Sequence, residues 1–104
     1  MTRRITYTPL ARDDLEAIAD YIARDNPARA LSFVRELRFF CRDLGEQARR
    51  YPVRSEFGLD VRGAVYRNYL VLYSERPGDF ITIERVVHGA RDLETLILQE
   101  PTSE

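Results

Sequence analysis

The stretch "TPLARDDLEAIADYIARDNPARALSF", residues 8–33, constrains the fold more than any other, because it writes two helix starts in close succession. Thr8 can accept from the first free backbone N–H groups of a helix, and Pro9 suits the first helical position, where its missing donor costs nothing. Asp13, Asp14 and Glu16 fall near the positive end of the helix dipole. Ala11, Leu15, Ile18, Ala19 and Ile22 then recur at helical spacing as one apolar stripe. Asn26 and Pro27 repeat the start signal. A second, wider apolar face follows, from Ala30, Phe33, Val34, Leu37, Phe40, Cys41, Leu44 and Ala48, running to about Arg50. Two amphipathic helices joined by so short a turn must pack antiparallel, so residues 9–50 are expected to form a helical hairpin with its stripes buried against another layer. Cys41 lies within the apolar face and reads as a buried structural thiol.

The other layer is written around it. "RRITYTP" reads as a short strand with Ile5 and Tyr7 on one face and Thr6 on the other. Pro52 and Gly58 make "YPVRSEFGLD" a loop. "LDVRGAVY" and "YLVLYSE" flank Arg67-Asn68, a two-residue hairpin turn in which asparagine tolerates positive φ. "RPGD" puts Pro77 and Gly78 at the central positions of a type II turn, and "FITIERVVH" is the last strand. "RDLETLIL" is expected to form a short terminal helix capped by Asp92, with residues 98–104 fraying. The expected fold class is α+β in a single domain, 1–104. An N-terminal strand and an antiparallel helical hairpin precede a three-stranded antiparallel meander, with the helices packed on one face of one sheet.

Charge narrows the function classes. Thirty-two per cent of residues are charged, yet the net charge is −1, whereas binding a nucleic-acid backbone usually calls for a positive excess. All sixteen basic residues are arginine, so no lysine is available as a base or Schiff-base former. One cysteine makes no intramolecular disulfide, and no metal-ligand spacing, Walker loop, GxGxxG, CxxC or HExxH occurs. No cofactor and no metal are expected. With no apolar run of about 20 residues and no signal-type leader, the expected location is the cytoplasm, away from membranes.

Two places could carry chemistry or recognition. In "ERVVHGARD" the only histidine, His88, is flanked by Arg85 and Arg91. Strict alternation would put Arg85 in the row of Ile81, Ile83 and Val87. A buried unpaired guanidinium is costly, so either a bulge turns Arg85 outward or it sits at the sheet margin, with Glu75 or Glu84 as the plainest partner. The second place is the meander. There Arg62, Ala64 and Tyr66 share a face, and Tyr69 and Tyr73 follow; arginine beside tyrosine on a face without helices is either a binding surface or ordinary solvated sheet. On the second helix Arg35, Arg38, Arg42 and Arg49 form a basic stripe, interrupted by Glu36, Asp43 and Glu46.

The order of elements, with "ARDDLEAIADYIARDNPARA", "VRGAVYRNYLVLY" and above all "RVVHGARD", resembles the RelE/ParE superfamily of type II toxins, most similarly its ParE branch, over about residues 5–97. The resemblance implies a toxin neutralised by an antitoxin whose C-terminal segment wraps it. For the ParE branch the implied partner is a ParD-like antitoxin of ribbon-helix-helix type, the implied target is DNA gyrase, and promoter DNA is met only indirectly, through the antitoxin. For the RelE branch the implied activity is ribosome-dependent mRNA cleavage by basic residues on the sheet and a terminal tyrosine or histidine. Carried over by position, the nuclease pattern fares badly. Val61 and Gly63 stand where nuclease-type relatives have lysines, Leu70 where a basic residue follows the hairpin, and Leu96 and Ile97 where a catalytic tyrosine would fall.

The reading is therefore a protein-binding inhibitor with no catalytic residues. Arg62, Tyr66, Arg85, His88 and Arg91 are expected to meet the target, and Arg35, Arg38, Arg42, Tyr69 and Tyr73 the antitoxin. The alternative is an mRNA endonuclease built on Arg62, Arg85 and His88.

Overall fold

The computed structural model of the chain describes residues 3–89; the expected terminal helix and Arg91, Asp92, Leu96 and Ile97 lie outside them. The helix starts are where the caps put them. Thr8 Oγ1 accepts from Ala11 N at 3.0 Å and opens α1, Pro9–Ala23. Asn26 Oδ1 accepts from Arg29 N at 3.0 Å and opens α2, Pro27–Gln47. A single 3-10 turn, Ala48–Arg50, extends α2 to the expected end.

The sheet has four strands: β1 (Arg4–Tyr7), β2 (Arg62–Tyr66), β3 (Tyr69–Arg76) and β4 (Phe80–His88), in the spatial order β1-β4-β3-β2. β2, β3 and β4 form the antiparallel meander, and β1 lies parallel to β4, with Ile5 opposite Ile81 and Tyr7 opposite Ile83. The two edges are thus β1 and β2.

The hairpin roofs one face. Leu15, Ile18, Phe33, Leu37, Cys41 and Leu44 meet Val71, Tyr73, Ile81, Ile83 and Val86 in one core, with Ile22 and Phe40 partly buried at its margin. The opposite face is not bare. The loop after α2 folds over it, so that Phe57 and Val61 cover Leu70, Leu72 and Val87. β3 is consequently buried on both faces from Tyr69 to Ser74.

Three local expectations need correction. The face carrying Arg62, Ala64 and Tyr66 is the one under the helices: Ala64 is fully buried and Tyr66 packs on Phe33 and Phe40. In the β2–β3 turn the positive φ falls on Arg67 (54°), not Asn68. In the β3–β4 turn Gly78 has the positive φ expected of it (85°), and Asp79 adds a second left-handed residue (64°). The bulge raised for Arg85 exists. Leu72 pairs with Arg85 and Tyr73 with Ile83, so Glu84 is the extra residue of β4. An extra residue moves every later side chain to the other face. Hence Val86, not Val87, joins Ile81 and Ile83 in the roofed core.

Candidate functional site

The bulge determines what "ERVVHGARD" presents. β1 stops at Tyr7, and beyond it α1 takes over the margin of β4: Thr8 N donates to Ile83 O at 3.0 Å and Thr8 Oγ1 to Glu84 O at 2.8 Å. Six residues further along, nearly two turns, the carboxylate of Asp14 fills the gap. It accepts from Val86 N at 2.9 Å, and from Arg85 Nε and Nη2 at 2.8 and 3.0 Å. The partner of Arg85 is therefore Asp14 rather than Glu75 or Glu84. Those two are engaged elsewhere, Glu75 by Arg3 and Arg49 and Glu84 by Ser74 and Arg76. A bidentate carboxylate explains how a guanidinium can sit only 30% exposed once the bulge has turned it off the row of Ile81 and Ile83.

His88 lies at the far end of β4, edge-on to Tyr69 with ring centroids 5.3 Å apart. With Arg54, Val65, Arg67 and Asn68 it lines a cleft of about 300 Å³ at the hairpin end of the sheet, and Gly89 N donates to Asn68 O across the cleft floor at 2.8 Å. Arg62 is at the opposite end of the meander, where its Nη1 donates to Tyr51 O at 2.6 Å. The registers put His88 on the rung of Tyr69 and Tyr66, and Arg62 on the rung of Tyr73. Four rungs at ~3.3 Å along the strands and two strand spacings of ~4.8 Å across them separate their backbones by roughly 16 Å. Arg62, Arg85 and His88 are not brought together.

The tyrosines divide as well. Tyr73 is fully buried and its hydroxyl donates to Ala48 O at 2.5 Å; burial pushes its phenol up to about 12. Tyr69 is nearly as buried, its ring 5.6 Å from that of Phe33. The apolar surface of these two rings, expected to meet the antitoxin, is spent on the core. Tyr66 keeps an exposed rim. Its hydroxyl meets Glu36 at 3.5 Å, and Glu36 also takes Arg29 at 2.9 Å and Arg67 at 4.0 Å. Hydrogen bonding from Arg29, helped by the charges of Arg29 and Arg67, holds the Glu36 carboxyl below its ordinary range.

Two surfaces flank α2. On one side a groove of about 620 Å³ runs between α2 and the hairpin, lined by Arg35, Phe39, Phe40, Asp43, Tyr66 and Arg67. Phe39 is 60% exposed there, under the guanidinium of Arg42. On the other side Arg38 and Arg42 join Arg3, Arg4, Ile5 and Tyr7 around a groove of about 440 Å³ beside β1. The expected stripe of Arg35, Arg38 and Arg42 is thus split between two grooves. Sequence reasoning missed Asp14, Arg54, Arg67 and Phe39. An aromatic outside the apolar stripe of α2 was the available sign for Phe39. Nothing local marked Asp14, which reads as one more acid in the first half of a helix. Among the described residues no group of His, Cys, Asp and Glu could hold a metal, and no helix is long and apolar enough to cross a membrane.

Two solved structures of this architecture come from toxin–antitoxin complexes. A chain of the chromosomal ParDE TA system from P. aeruginosa superposes with a TM-score of 0.70 at 23% identity, over 84% of this chain and 96% of that one. A chain of the toxin–antitoxin complex RelBE2 from Mycobacterium tuberculosis gives 0.64 at 24% identity, over 85% and 99%. At such identities the likeness is one of fold, and the fold is that of the RelE/ParE toxins. The family model for the ParE toxin of the type II toxin–antitoxin system, parDE, matches residues 5–93, and the chain belongs to that family. No curated protein matches it.

Proposed function

We propose that this chain is a toxin that acts by binding DNA gyrase, not by cleaving RNA, and that a ParD-like antitoxin neutralises it. The observation that carries this reading is the dispersal of Arg62, Arg85 and His88, the set on which the endonuclease alternative rests. General acid–base catalysis needs its groups within hydrogen-bond reach of one reacting centre. Here Arg62 is tied to the Tyr51 carbonyl, Arg85 to Asp14, and His88 stands against Tyr69 on a strand roughly 16 Å from Arg62. A recognition surface has no such requirement, since its charges act separately across a broad contact. In this reading Arg62, the rim of Tyr66, Arg85, His88 and Arg91 face the target, and Arg35, Arg38 and Arg42 the antitoxin.

The test runs two assays on one preparation. Purified gyrase is titrated with the chain and supercoiling is followed; ribosomes carrying mRNA are treated in parallel and the message is mapped for cuts. Loss of supercoiling, reversed by the antitoxin, with intact message supports the proposal. Cut message with unaffected gyrase replaces it with the endonuclease reading.

A further inference from the structure

Phe39 stands on the outer face of α2, away from the core, with most of its ring in solvent. Its surroundings set it apart from the other large apolar side chains exposed on the helices, Leu10, Tyr21 and Leu31. At 3.6 residues per turn, i−4 and i+3 fall on one flank of a helical residue, and i−3 and i+4 on the other, all within about 60° of it. Around Phe39 the first flank holds Arg35 and Arg42, and the second holds Glu36 and Asp43. Leu10 lies too near the helix start to have two such flanks. Tyr21 has Ala17 and Ile18 on its N-terminal side, and Leu31 has Pro27 and Ala28. Of these four, Phe39 alone has one basic and one acidic flank.

A face so divided is complementary to itself in one orientation. A two-fold axis running along the helix sets two copies of α2 parallel and lays each basic flank on the acidic flank of the other. Arg35 then meets Glu36 of the second copy, Arg42 meets the second copy's Asp43, and symmetry repeats both pairs. Each pair is offset by one residue, ~1.5 Å along the axis, within reach of a guanidinium. A two-fold axis across the helix does the opposite. It sets Arg35 on Arg42 and Glu36 on Asp43, like charge on like. The Phe39 ring has Arg42 over it at 5.8 Å, and beside it the groove of about 620 Å³ is lined in part by Phe40 and Tyr66, so a second ring finds apolar surface there. Arg35 and Asp43 are exposed, and Glu36 keeps part of its carboxylate in solvent while taking Arg29.

We propose that the outer face of α2 pairs with the same face of a second copy of this chain, parallel and centred on Phe39. The proposal concerns the free chain and does not depend on whether the toxin's target is gyrase or the ribosome. Arg35 and Arg42 also belong to the surface given to the antitoxin, so antitoxin bound there and this pairing exclude each other. One helix face is small beside the about 800 Å² per partner of a standard interface, so the pair is weak, with a dissociation constant of about 10–100 µM. Charged rims of this kind select the orientation more than they add affinity.

Sedimentation equilibrium of the full chain, from well below that range to well above it, should show monomer and dimer exchanging. Phe39→Ser should weaken the pair about tenfold or more. Arg42→Asp and Asp43→Arg should each stay monomeric where the wild type is paired, because each sets like charges together twice. Mixed in equal amounts, these two variants should pair again, and so should a chain carrying both exchanges. Arg12→Asp, exposed on α1, is the charge control and should change nothing. A chain that stays monomeric at every concentration overturns the proposal; if Phe39→Ser then weakens antitoxin binding, the face belongs to the antitoxin. Pairing indifferent to Phe39→Ser places the interface elsewhere and overturns it too. Pairing strengthened by Arg42→Asp means antiparallel helices and overturns the parallel geometry.

Discussion

Replacing Asp14 with alanine removes three hydrogen bonds at once, two from the Arg85 guanidinium and one from Val86 N. Breaking a buried ion pair typically costs about 3–5 kcal/mol, and a hydrogen bond to a charged group contributes about 1.5–3 kcal/mol. Arg85 is 30% exposed and Asp14 15%, so water relieves part of the loss. Discounted for that screening, the expected cost is about 2–3 kcal/mol. In a chain of 104 residues that lowers the melting temperature by roughly 10–15 °C. Asp14→Asn keeps an acceptor for Val86 N but loses the charge, and should fall near the midpoint. Thermal and urea unfolding of both variants, with Arg85→Ala added to complete a double-mutant cycle, isolates the pair. If Asp14→Ala changes stability by less than about 0.5 kcal/mol, within the range of ordinary surface substitutions, the claim that this carboxylate fixes the bulge and the strand beyond it is wrong.

Leu37 is fully buried between the helices and the sheet, and its truncation to alanine should cost about 2–5 kcal/mol by denaturant unfolding. Burial raises the Cys41 thiol from 9.0 to about 11 and the Tyr73 phenol from 10.0 to about 12. The folded chain therefore holds protons that the unfolded chain releases. Their contribution is complete below about pH 9 and is lost as the pH rises toward 11–12, so the melting temperature should drop on that alkaline limb; a flat profile would contradict it. The same thiol should react with a disulfide reagent at neutral pH only as fast as the chain opens. His88→Gln should leave growth inhibition intact in cells lacking antitoxin, whereas Arg91→Ala should weaken it; the reverse ranking favours the endonuclease.

Local signals carried the helices and the turn positions into the sequence reading. Thr8-Pro9 and Asn26-Pro27 are complete start signals within a few residues, and the stripes from Ala11 to Leu44 match the core that forms. What escaped depends on partners far along the chain. β1 pairs with a strand some 75 residues away, and nothing in "RITY" announces that neighbour. Alternation gave Arg62, Ala64 and Tyr66 a shared face but could not say which face the helices would cover. The burial of Tyr73 follows from that covering and from the Ala48 carbonyl waiting beneath it. For Arg85 the mismatch between charge and row was visible and a bulge was one way out. Its partner on α1 was not visible, because Asp14 and Arg85 meet only once β1 ends and α1 closes over β4.

The central claim is that this toxin works by holding another protein, and the most direct measurement is made on gyrase itself. Purified gyrase, supercoiled plasmid and ATP are incubated with increasing amounts of the chain, then denatured and treated with protease, and linear plasmid is quantified. The account predicts that supercoiling activity falls and that cleaved plasmid, joined to gyrase before protease treatment, accumulates with dose, both reversed by prior addition of antitoxin and both retained by His88→Gln. Unchanged supercoiling with no cleaved plasmid, at concentrations where the same preparation arrests growth or cuts ribosome-bound message, would contradict it.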